Sequence, residues 1–387
     1  MKTVENSICA PMGFKALGKN CGIKKGKLDL AVIYSEKPCA AAGVFTRNKV
    51  SGAPLHITKK HLADGRAQAI VINSGIANVL TGKQGKADAL MMAELTAQEL
   101  GLKPHDVLVA STGKIAVMLP MDCVTSGLKG IKADLSTDAS GAAEGILTTD
   151  TFAKQIAVKG EGFTVGAIAK GSGMIHPNMA TMLCFITTDA KLEHKELQNM
   201  LATSVDGSFN MLSVDMDTST SDMVLVLANG LAGVPDKKQF HDALTFVCCA
   251  MAKAIAKDGE GATKLIISYV KGAASKNDAR KAARAIICSP LVKCAFYGND
   301  PNWGRIASAV GNSGCQLDEA GLSVAIGSIQ LMNKGAIASY DEAKASAEMK
   351  KDEVAITVDL GLGDFSATAY GCDLGPKYVE INALYRT

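Results

Sequence analysis

Thr181 is the residue whose neighbours most favour nucleophilic chemistry, and it lies within residues 170–190, KGSGMIHPNMATMLCFITTDA. The small residues at 171–173 and Pro177 are typical of tight loops. Residues 182–188 are apolar and partly β-branched, which predicts a buried strand. A threonine hydroxyl held where a loop enters a strand could attack a carbonyl carbon, although a plain strand start is the commoner explanation for such a threonine.

A second chemical candidate follows the strand-like residues 107–110 (VLVA), which lead into Ser111, Thr112 and Gly113. We expect a turn of small residues there, because such a turn leaves backbone N–H groups free to bind an anion or a developing oxyanion. Ser-Thr-Gly loops are common, so this tripeptide alone indicates little.

Strand-like and helix-like segments that could position these residues alternate irregularly along the chain. The main predicted strands cover residues 28–34, 42–46, 67–73, 156–158, 163–169, 223–230 and 265–270. The main predicted helices cover residues 85–100, which end at Gly101, residues 240–255, and a segment running to Cys288 that Asn277 or Asp278 would cap. This pattern predicts a mixed α/β fold, and 387 residues exceed the usual size of one core, so we expect two closely packed lobes.

Composition narrows the function classes. The net charge is +3 and the basic residues form no stripe, so we expect no nucleic-acid partner. Eleven cysteines without a CxxC motif indicate free thiols in a reducing cytosol. The six histidines lack metal-binding spacing and no nucleotide-binding glycine motif occurs, so we expect no metal and no cofactor. We see no signal peptide and no membrane-length apolar run, which predicts a cytoplasmic protein without a membrane partner.

Ten sequence blocks occur in order along nearly the whole chain: APMGFKALGKNCGIKK, AAGVFTRNKV, NSGIAN, STG, LTTDTFAK, KGSGMIHPNMATML, DTSTSD, DGEGATK, DPNWGRI and INALYRT. Together they resemble the ornithine acetyltransferase family, the arginine-biosynthesis enzymes that also include bifunctional glutamate N-acetyltransferases. Any one block would be a weak signal, whereas ten in order are specific. The resemblance implies a layered αββα-type sandwich like that of N-terminal-nucleophile enzymes.

The resemblance also implies autocatalytic cleavage between Ala180 and Thr181, which would give an α chain (1–180) and a β chain (181–387) that stay folded together. Cleavage would give Thr181 a free α-amine with a pKa of about 7.7–8.0, so the nucleophile would carry its own base. Thr181 would then take the acetyl group of N-acetylornithine and pass it to glutamate in a ping-pong scheme. The family suggests an α2β2 heterotetramer, and the sequence leaves open whether acetyl-CoA is a second donor.

Residue by residue, the resemblance assigns roles to positions in this chain. The oxyanion would be bound by the Thr112 hydroxyl and the Gly113 N–H. The substrate contacts would be Thr151, Lys170, Thr181, Glu260, Asn382 and Thr387. We expect Lys170 to meet a substrate carboxylate and Glu260 an ammonium group, because the substrates are zwitterionic amino acids.

The chain departs from the family pattern near these residues. It has Ile76 where NSGNAN is usual, Lys114 and Ala116 where STGVIG is usual, and His176 in place of a small residue. It also has Met216 and Ser221 where Gly and Asn are usual. These changes flank the oxyanion turn and the cleavage loop, so they could alter donor preference or cleavage rate. We expect His176 to be packed or solvent-facing; assistance to proton transfer during cleavage is the alternative.

Two other functions remain open at this point. The chain could be a self-processed amidase or aminopeptidase in which water replaces glutamate as the acceptor. It could also be a non-catalytic relative that keeps the fold as a binding or assembly protein. Cleavage at Ala180–Thr181 and transfer to glutamate distinguish these possibilities from the acetyltransferase.

Overall fold

The structure is a computed structural model that describes residues 1–176 and 182–384. The strands are β1 (Lys2–Val4), β2 (Phe14–Lys19), β3 (Leu30–Phe45), β4 (Arg66–Ile76), β5 (Val107–Lys114), β6 (Lys154–Gly160), β7 (Phe163–Lys170), β8 (Leu183–Ala190), β9 (Leu212–Ser213), β10 (Met223–Gly233), β11 (Leu265–Ala273), β12 (Ser323–Ile326), β13 (Ile329–Asn333), β14 (Ala336–Ile337), β15 (Glu353–Asp359) and β16 (Phe365–Cys372).

The helices are α1 (Ala53–His61), α2 (Gly82–Leu100), α3 (Met121–Leu128), α4 (Ile131–Asp134), α5 (Ser140–Gly145), α6 (His194–Gly207), α7 (Lys237–Lys257), α8 (Lys276–Cys288), α9 (Pro290–Tyr297), α10 (Trp303–Gly311), α11 (Glu342–Met349) and α12 (Pro376–Leu384). Within the described ranges, no helix combines the length and the apolar character that crossing a bilayer requires.

Two sheets organise the chain. The larger sheet has nine strands in the order β1-β6-β7-β8-β10-β3-β4-β5, with β2 paired to β3. Its strand β8 is antiparallel to β7 and parallel to β10, so the segment after the predicted cleavage site lies inside this sheet. The smaller sheet has seven strands in the order β14-β13-β12-β15-β11-β16-β9. The predicted mixed α/β class is confirmed.

The large sheet is buried on both faces, which explains why its central strands are continuous apolar runs rather than alternating ones. On one face, residues such as Val165 and Val226 pack with α6 and α7. The same hydrophobic cluster contains Leu265 and Tyr370 of the smaller sheet, and α7 contacts strands of both sheets. A shared core therefore joins the two predicted lobes.

Most predicted elements are present, with three differences. The predicted strands 28–34 and 42–46 are parts of one strand, β3, whose pairing with β4 shifts between Tyr34 and Cys39. One prediction in this region is confirmed: Gly101 caps the C-terminal end of α2 and adopts the left-handed conformation, with φ 74°. Ser275, not Asn277 or Asp278, caps α8 by accepting a hydrogen bond from the Asp278 N–H. The third difference, at residues 111–113, concerns the candidate site. The eleven cysteines, all within the described residues, are free thiols.

Candidate active site

A cavity of about 230 Å³ is lined by residues that are far apart in the sequence. Five residues predicted for the site line it: Thr112, Gly113, Lys170, Glu260 and Asn382. They come from β5, β7, the segment after α7, and α12. The fold therefore brings together the predicted oxyanion residues and both predicted charged contacts.

The predicted nucleophile Thr181, its cleavage partner Ala180 and the predicted contact Thr387 lie outside the described residues. The described chain resumes at Met182, whose carbonyl accepts a hydrogen bond from Met223 N at 3.0 Å. Leu183, the next residue, pairs with Lys170 across β7 and β8. The start of β8 and the Lys170 side of the cavity therefore share one edge of the large sheet.

Residues 111–113 do not form the predicted turn. They extend β5, because Ser111, Thr112 and Gly113 pair with residues 73–75 of the parallel strand β4. Gly113 adopts φ +125°, and a Cβ on it would lie 2.3 Å from the Gly75 carbonyl carbon. Only glycine fits so close to the neighbouring backbone. The close approach of the two strands thus determines where the Gly113 backbone lies at the cavity.

Lys170 is the last residue of β7 and is 9% exposed. Its ammonium group donates a hydrogen bond to Thr112 Oγ1 at 3.2 Å. Burial lowers the pKa of Lys170, and the Asp150 carboxylate opposes this shift. Because an ammonium group can only donate, Thr112 Oγ1 accepts from Lys170 and keeps its own proton for another acceptor. This arrangement suits a hydroxyl that donates to an oxyanion.

Negative charge is supplied by Glu260, which follows α7 and is 8% exposed. Asn382 donates from Nδ2 to Glu260 Oε2 at 2.8 Å and to the Tyr378 carbonyl at 3.0 Å. Gly173 leaves room for the carboxylate, since a Cβ there would lie 2.4 Å from the Glu260 carboxyl carbon. The cavity therefore contains a carboxylate, Glu260, and an ammonium group, Lys170, that are both positioned by hydrogen bonds. These two charges are complementary to the ammonium group and the carboxylate of an amino acid.

Asp215 adds negative charge and holds the loop that follows β7. Its carboxylate accepts hydrogen bonds from Met174 N at 2.6 Å and Ile175 N at 2.8 Å. Burial raises the pKa of Asp215, and these backbone hydrogen bonds oppose the shift. Together with Asp217 and Glu260, it gives the described part of the lining three carboxylates against one lysine. This balance favours ligands that carry amino groups.

A buried ion-pair network lies beside the cavity. Lys154 donates to Asp150 Oδ1 at 2.7 Å and to Asp258 Oδ2 at 2.5 Å, and these three side chains are at most 2% exposed. Asp150 Oδ1 also accepts from Gly171 N at 2.7 Å. Burial acts to raise the pKa of Asp150, but the Lys170 and Lys154 ammonium groups outweigh it and lower the pKa to about 2. The network therefore fixes the backbone next to Lys170.

Thr151, a predicted substrate contact, bonds to this network instead. Its N–H donates to Asp258 Oδ2 at 3.0 Å, and its hydroxyl bonds to the same carboxylate. It is not among the described residues that line the cavity, whereas Thr148 and Thr149 of the same segment are. The sequence did not single out Thr148, Thr149, Asp215 or the Lys154 network; the closely spaced hydroxyls and charges of LTTDTFAK were the available signal.

Two of the residues that depart from the family pattern adopt the left-handed backbone conformation, which glycine tolerates best. Ala116 has φ +58° and Met216 has φ +69°, at two positions where the sequence resemblance implies glycine. A left-handed conformation strains a residue that has a Cβ. Ser221, a third departure, lines the cavity directly.

His176 contacts residues outside the cavity. Its Nδ1 lies 3.0 Å from Ser213 Oγ and 3.8 Å from Cys288 Sγ, and its Nε2 lies 2.8 Å from an Arg284 nitrogen. Because Arg284 can only donate, Nε2 accepts and the ring proton belongs on Nδ1. Burial, and then the positive charge of Arg284, lowers the pKa of His176 to about 4. These contacts are those of a packed, neutral histidine. The sequence predicts a packed or solvent-facing His176, with assistance to proton transfer as the alternative.

Comparisons with known proteins identify the family of the chain. The ArgJ family profile matches residues 15–387. The chain is 50% identical over 402 residues to the arginine biosynthesis bifunctional protein ArgJ of Symbiobacterium thermophilum, covering 100% of both. It is 48% identical over 392 residues to the protein of the same name from Oceanobacillus iheyensis, covering 98% of this chain and 96% of that one. A crystal structure of arginine biosynthesis bifunctional protein ArgJ from Bacillus halodurans is 44% identical, with a TM-score of 0.50, and covers 51% of this chain and 97% of its own. The resemblance inferred from the ten sequence blocks is confirmed: the chain belongs to the ArgJ family.

Proposed function

We propose that this chain is an arginine-biosynthesis enzyme that transfers the acetyl group of N-acetylornithine to glutamate. One observation carries the proposal: Thr112, Gly113, Lys170 and Glu260 converge on one cavity at the sheet edge where β8 begins. An acetyl transferase needs oxyanion donors together with both charge signs for an amino acid, and this cavity supplies them. The naming of the relatives as arginine biosynthesis bifunctional proteins supports the same assignment.

We propose that the chain first cleaves itself between Ala180 and Thr181. The Thr181 hydroxyl attacks the Ala180 carbonyl carbon, the peptide C–N bond breaks, and water hydrolyses the resulting ester. Chains 1–180 and 181–387 would remain associated, because β8 pairs with β7 on one side and β10 on the other. The Bacillus halodurans structure supports cleavage, since 97% of that solved chain corresponds to only 51% of this one.

In turnover, the Thr181 amine takes the proton of its own hydroxyl, and the oxygen attacks the acetyl carbonyl carbon of N-acetylornithine. Thr112 and Gly113 would donate to the oxygen that becomes negative, a contribution of about 2.7–4 kcal/mol per donor in comparable sites. The amide C–N bond then breaks, and the departing ornithine nitrogen receives the proton. Glutamate attacks the acetyl ester in the reverse sequence and leaves as N-acetylglutamate.

Substrate recognition follows from the charges of the lining. We propose that Lys170 binds the α-carboxylate of the amino acid and that Glu260, positioned by Asn382, binds an ammonium group. Thr387 is proposed to add a contact. Thr151 is proposed to hold the segment whose Thr148 and Thr149 face the cavity.

The proposal includes a second acetyl donor, acetyl-CoA, because two donors would account for a bifunctional enzyme. We further propose that the two product chains assemble as an α2β2 heterotetramer and act in the cytoplasm. The reaction with either acetyl donor needs no metal ion and no organic cofactor in the scheme above.

A cleavage and labelling experiment tests the function. Intact-mass analysis of the parent should give fragments that end at Ala180 and begin at Thr181, and Thr181→Ala should stay uncut. Incubation with acetyl-labelled N-acetylornithine should label the fragment that begins at Thr181, and glutamate should remove the label as N-acetylglutamate. Label released only as acetate would indicate the hydrolase, and an uncut parent chain would indicate a non-catalytic relative; both would refute the proposal.

A further inference from the structure

Lys24 connects two walls of the active-site cavity from outside it. It lies in the loop between β2 and β3, is half-buried, and is not among the described residues that line the cavity. Its ammonium group donates to the Leu147 carbonyl at 2.9 Å. We propose that Lys24 is a positioning residue, which holds the segment 147–149 in a fixed place relative to Gly113 on the other wall. The inference rests on the proposed function, because it concerns how the same cavity binds N-acetylornithine.

The aliphatic part of Lys24 contacts the pair of strands that carries Gly113. A Cβ on Gly75 would lie 3.0 Å from Lys24 Cγ, so the lysine side chain packs directly against the Gly75 backbone. Gly75 is in turn the pairing partner of Gly113, and a Cβ on Gly113 would lie 2.3 Å from the Gly75 carbonyl carbon. Lys24, Gly75 and Gly113 therefore lie in contact, one behind the other, from outside the cavity to the predicted oxyanion donor.

The backbone of Lys24 is anchored to the same strands by Asp29. The buried Asp29 carboxylate accepts a hydrogen bond from Lys24 N at 2.7 Å. The Asp29 carbonyl accepts from Ser74 N, in β4, at 2.8 Å. Lys24 therefore reaches Leu147 from a backbone that is fixed on β4, and such support from a rigid element is what a precisely placed group requires.

The segment held in this way connects α5 to β6 and carries two hydroxyls of the cavity lining, those of Thr148 and Thr149. Leu147 directly precedes them, so the hydrogen bond to its carbonyl acts on the peptide unit next to the lining. The segment is also tied at Gly145, whose carbonyl accepts from the Ser74 hydroxyl at 2.6 Å. Both hydrogen bonds come from β4 or from the loop anchored on it, so they place the two hydroxyls against the strands of the oxyanion donors.

The electrostatics of Lys24 support a role other than stability. Burial lowers the pKa of Lys24 to about 8, and the Asp29 carboxylate opposes this shift. Withdrawing an ammonium group from water costs free energy, and residues that break such a local rule are expected at functional sites. We therefore expect an apolar replacement of the ammonium group to leave stability close to that of the parent and to change substrate binding instead.

The variant Lys24→Met tests the inference because it removes the donor and keeps the aliphatic chain. Its unbranched side chain can pack on Gly75 but cannot donate to Leu147. We expect the KM for N-acetylornithine to rise about threefold to tenfold, the effect of weakening one hydrogen bond to the substrate. The kcat should stay within about twofold of the parent value, because the Gly113 donor remains in place. The matched control is Lys25→Met, at the exposed neighbouring lysine, which should leave both values at the parent level.

A combined variant separates positioning from a general loss of structure. The background is Thr148→Val/Thr149→Val, which lacks both hydroxyls that Lys24 is proposed to position. Adding Lys24→Met to this background should change the KM by less than about twofold, because the contacts that the lysine places are already absent. A merely structural effect of Lys24→Met would instead raise the KM by the same factor in the background as in the parent.

A second variant, Lys24→Leu, removes the same donor with a different apolar side chain, so the test does not depend on the folding of one protein. Its KM should rise as in Lys24→Met. An unchanged KM in either folded variant would overturn the inference, as would a further rise of more than about twofold when Lys24→Met is added to the background without hydroxyls. Failure of the proposed function is seen separately, since the parent enzyme would then form no N-acetylglutamate from N-acetylornithine and glutamate.

Discussion

Replacing Thr112 with valine tests the oxyanion assignment most directly, because the two side chains have nearly the same shape. Thr112 is 7% exposed, and its hydroxyl oxygen accepts from Lys170 Nζ at 3.2 Å, which leaves the hydroxyl proton available to the cavity. Removing one such donor costs about 2.7–4 kcal/mol of transition-state stabilisation, so kcat should fall by about 10²–10³. Binding of N-acetylornithine before the reaction should change much less, since the oxyanion forms only in the transition state.

The variant should also lose stability. Valine removes the oxygen that accepts a hydrogen bond from the buried Lys170 ammonium group, which we expect to lower the free energy of unfolding by about 1–3 kcal/mol. Activity should therefore be measured at a temperature well below the transition of the variant. Cleavage would use the same oxyanion donors, so each rate must be divided by the cleaved fraction obtained from intact-mass analysis.

Thr112→Ser is the matched control because it retains the hydroxyl. We expect its kcat in N-acetylornithine-dependent acetylation of glutamate to stay within about threefold of the parent value. The reasoning fails if Thr112→Val, corrected for cleavage, also stays within about threefold. It fails equally if Thr112→Ser loses as much activity as Thr112→Val, because the hydroxyl would then not be the group that matters.

Three further predictions concern stability. Lys154→Met removes the buried cation that Asp150 and Asp258 share and should cost about 3–5 kcal/mol in chemical denaturation. Lys237→Met, at an ion pair whose lysine is 65% exposed, should cost less than about 1 kcal/mol, and equal losses would contradict the network. His176 has a folded pKa of about 4 against an ordinary 6.5. The parent should thus lose stability as the pH falls from 6.5 towards 4, because mainly the unfolded chain binds the proton there. His176→Asn should flatten the curve of Tm against pH over that window, and an unchanged slope would count against the assignment. Ala116→Gly should relieve left-handed strain and stabilise by about 0.5–1 kcal/mol, whereas Ala87→Gly within α2 should destabilise by about 1 kcal/mol; a loss at both positions would show that the strain at Ala116 is negligible.

The family resemblance selected candidate site residues that lie in recognisable sequence blocks, and the structure brings five of them together. Thr112, Gly113, Lys170, Glu260 and Asn382 all line the same cavity. Local patterns also predicted helix α2 and its end, because a run of helix formers followed by glycine depends on neighbouring residues alone.

Features that depend on distant partners were not predictable in the same way. The strand conformation of residues 111–113 arises from pairing with β4, which overrides the turn preference of small residues. The Lys154 network joins Asp150 to Asp258, which is more than a hundred positions later in the chain. The sequence could show that these residues carry charge, but only the packing of α7 beside β6 and β7 determines which charges meet.

The three threonines of LTTDT provide a last test of geometry against motif. The family resemblance selected Thr151, whereas the structure places Thr149 on the cavity and bonds the Thr151 hydroxyl to Asp258. We therefore expect Thr149→Val to raise the KM for N-acetylornithine by about fivefold to tenfold, the usual effect of losing one neutral hydrogen bond. Thr151→Val should leave this KM nearly unchanged but lower the free energy of unfolding by about 1.5–3 kcal/mol, because a buried carboxylate loses a donor. Steady-state kinetics and chemical denaturation of both variants check the pair. The reverse pattern, a KM effect confined to Thr151→Val, would mean that Thr151 leaves Asp258 to bind the substrate, and the geometric assignment would be wrong.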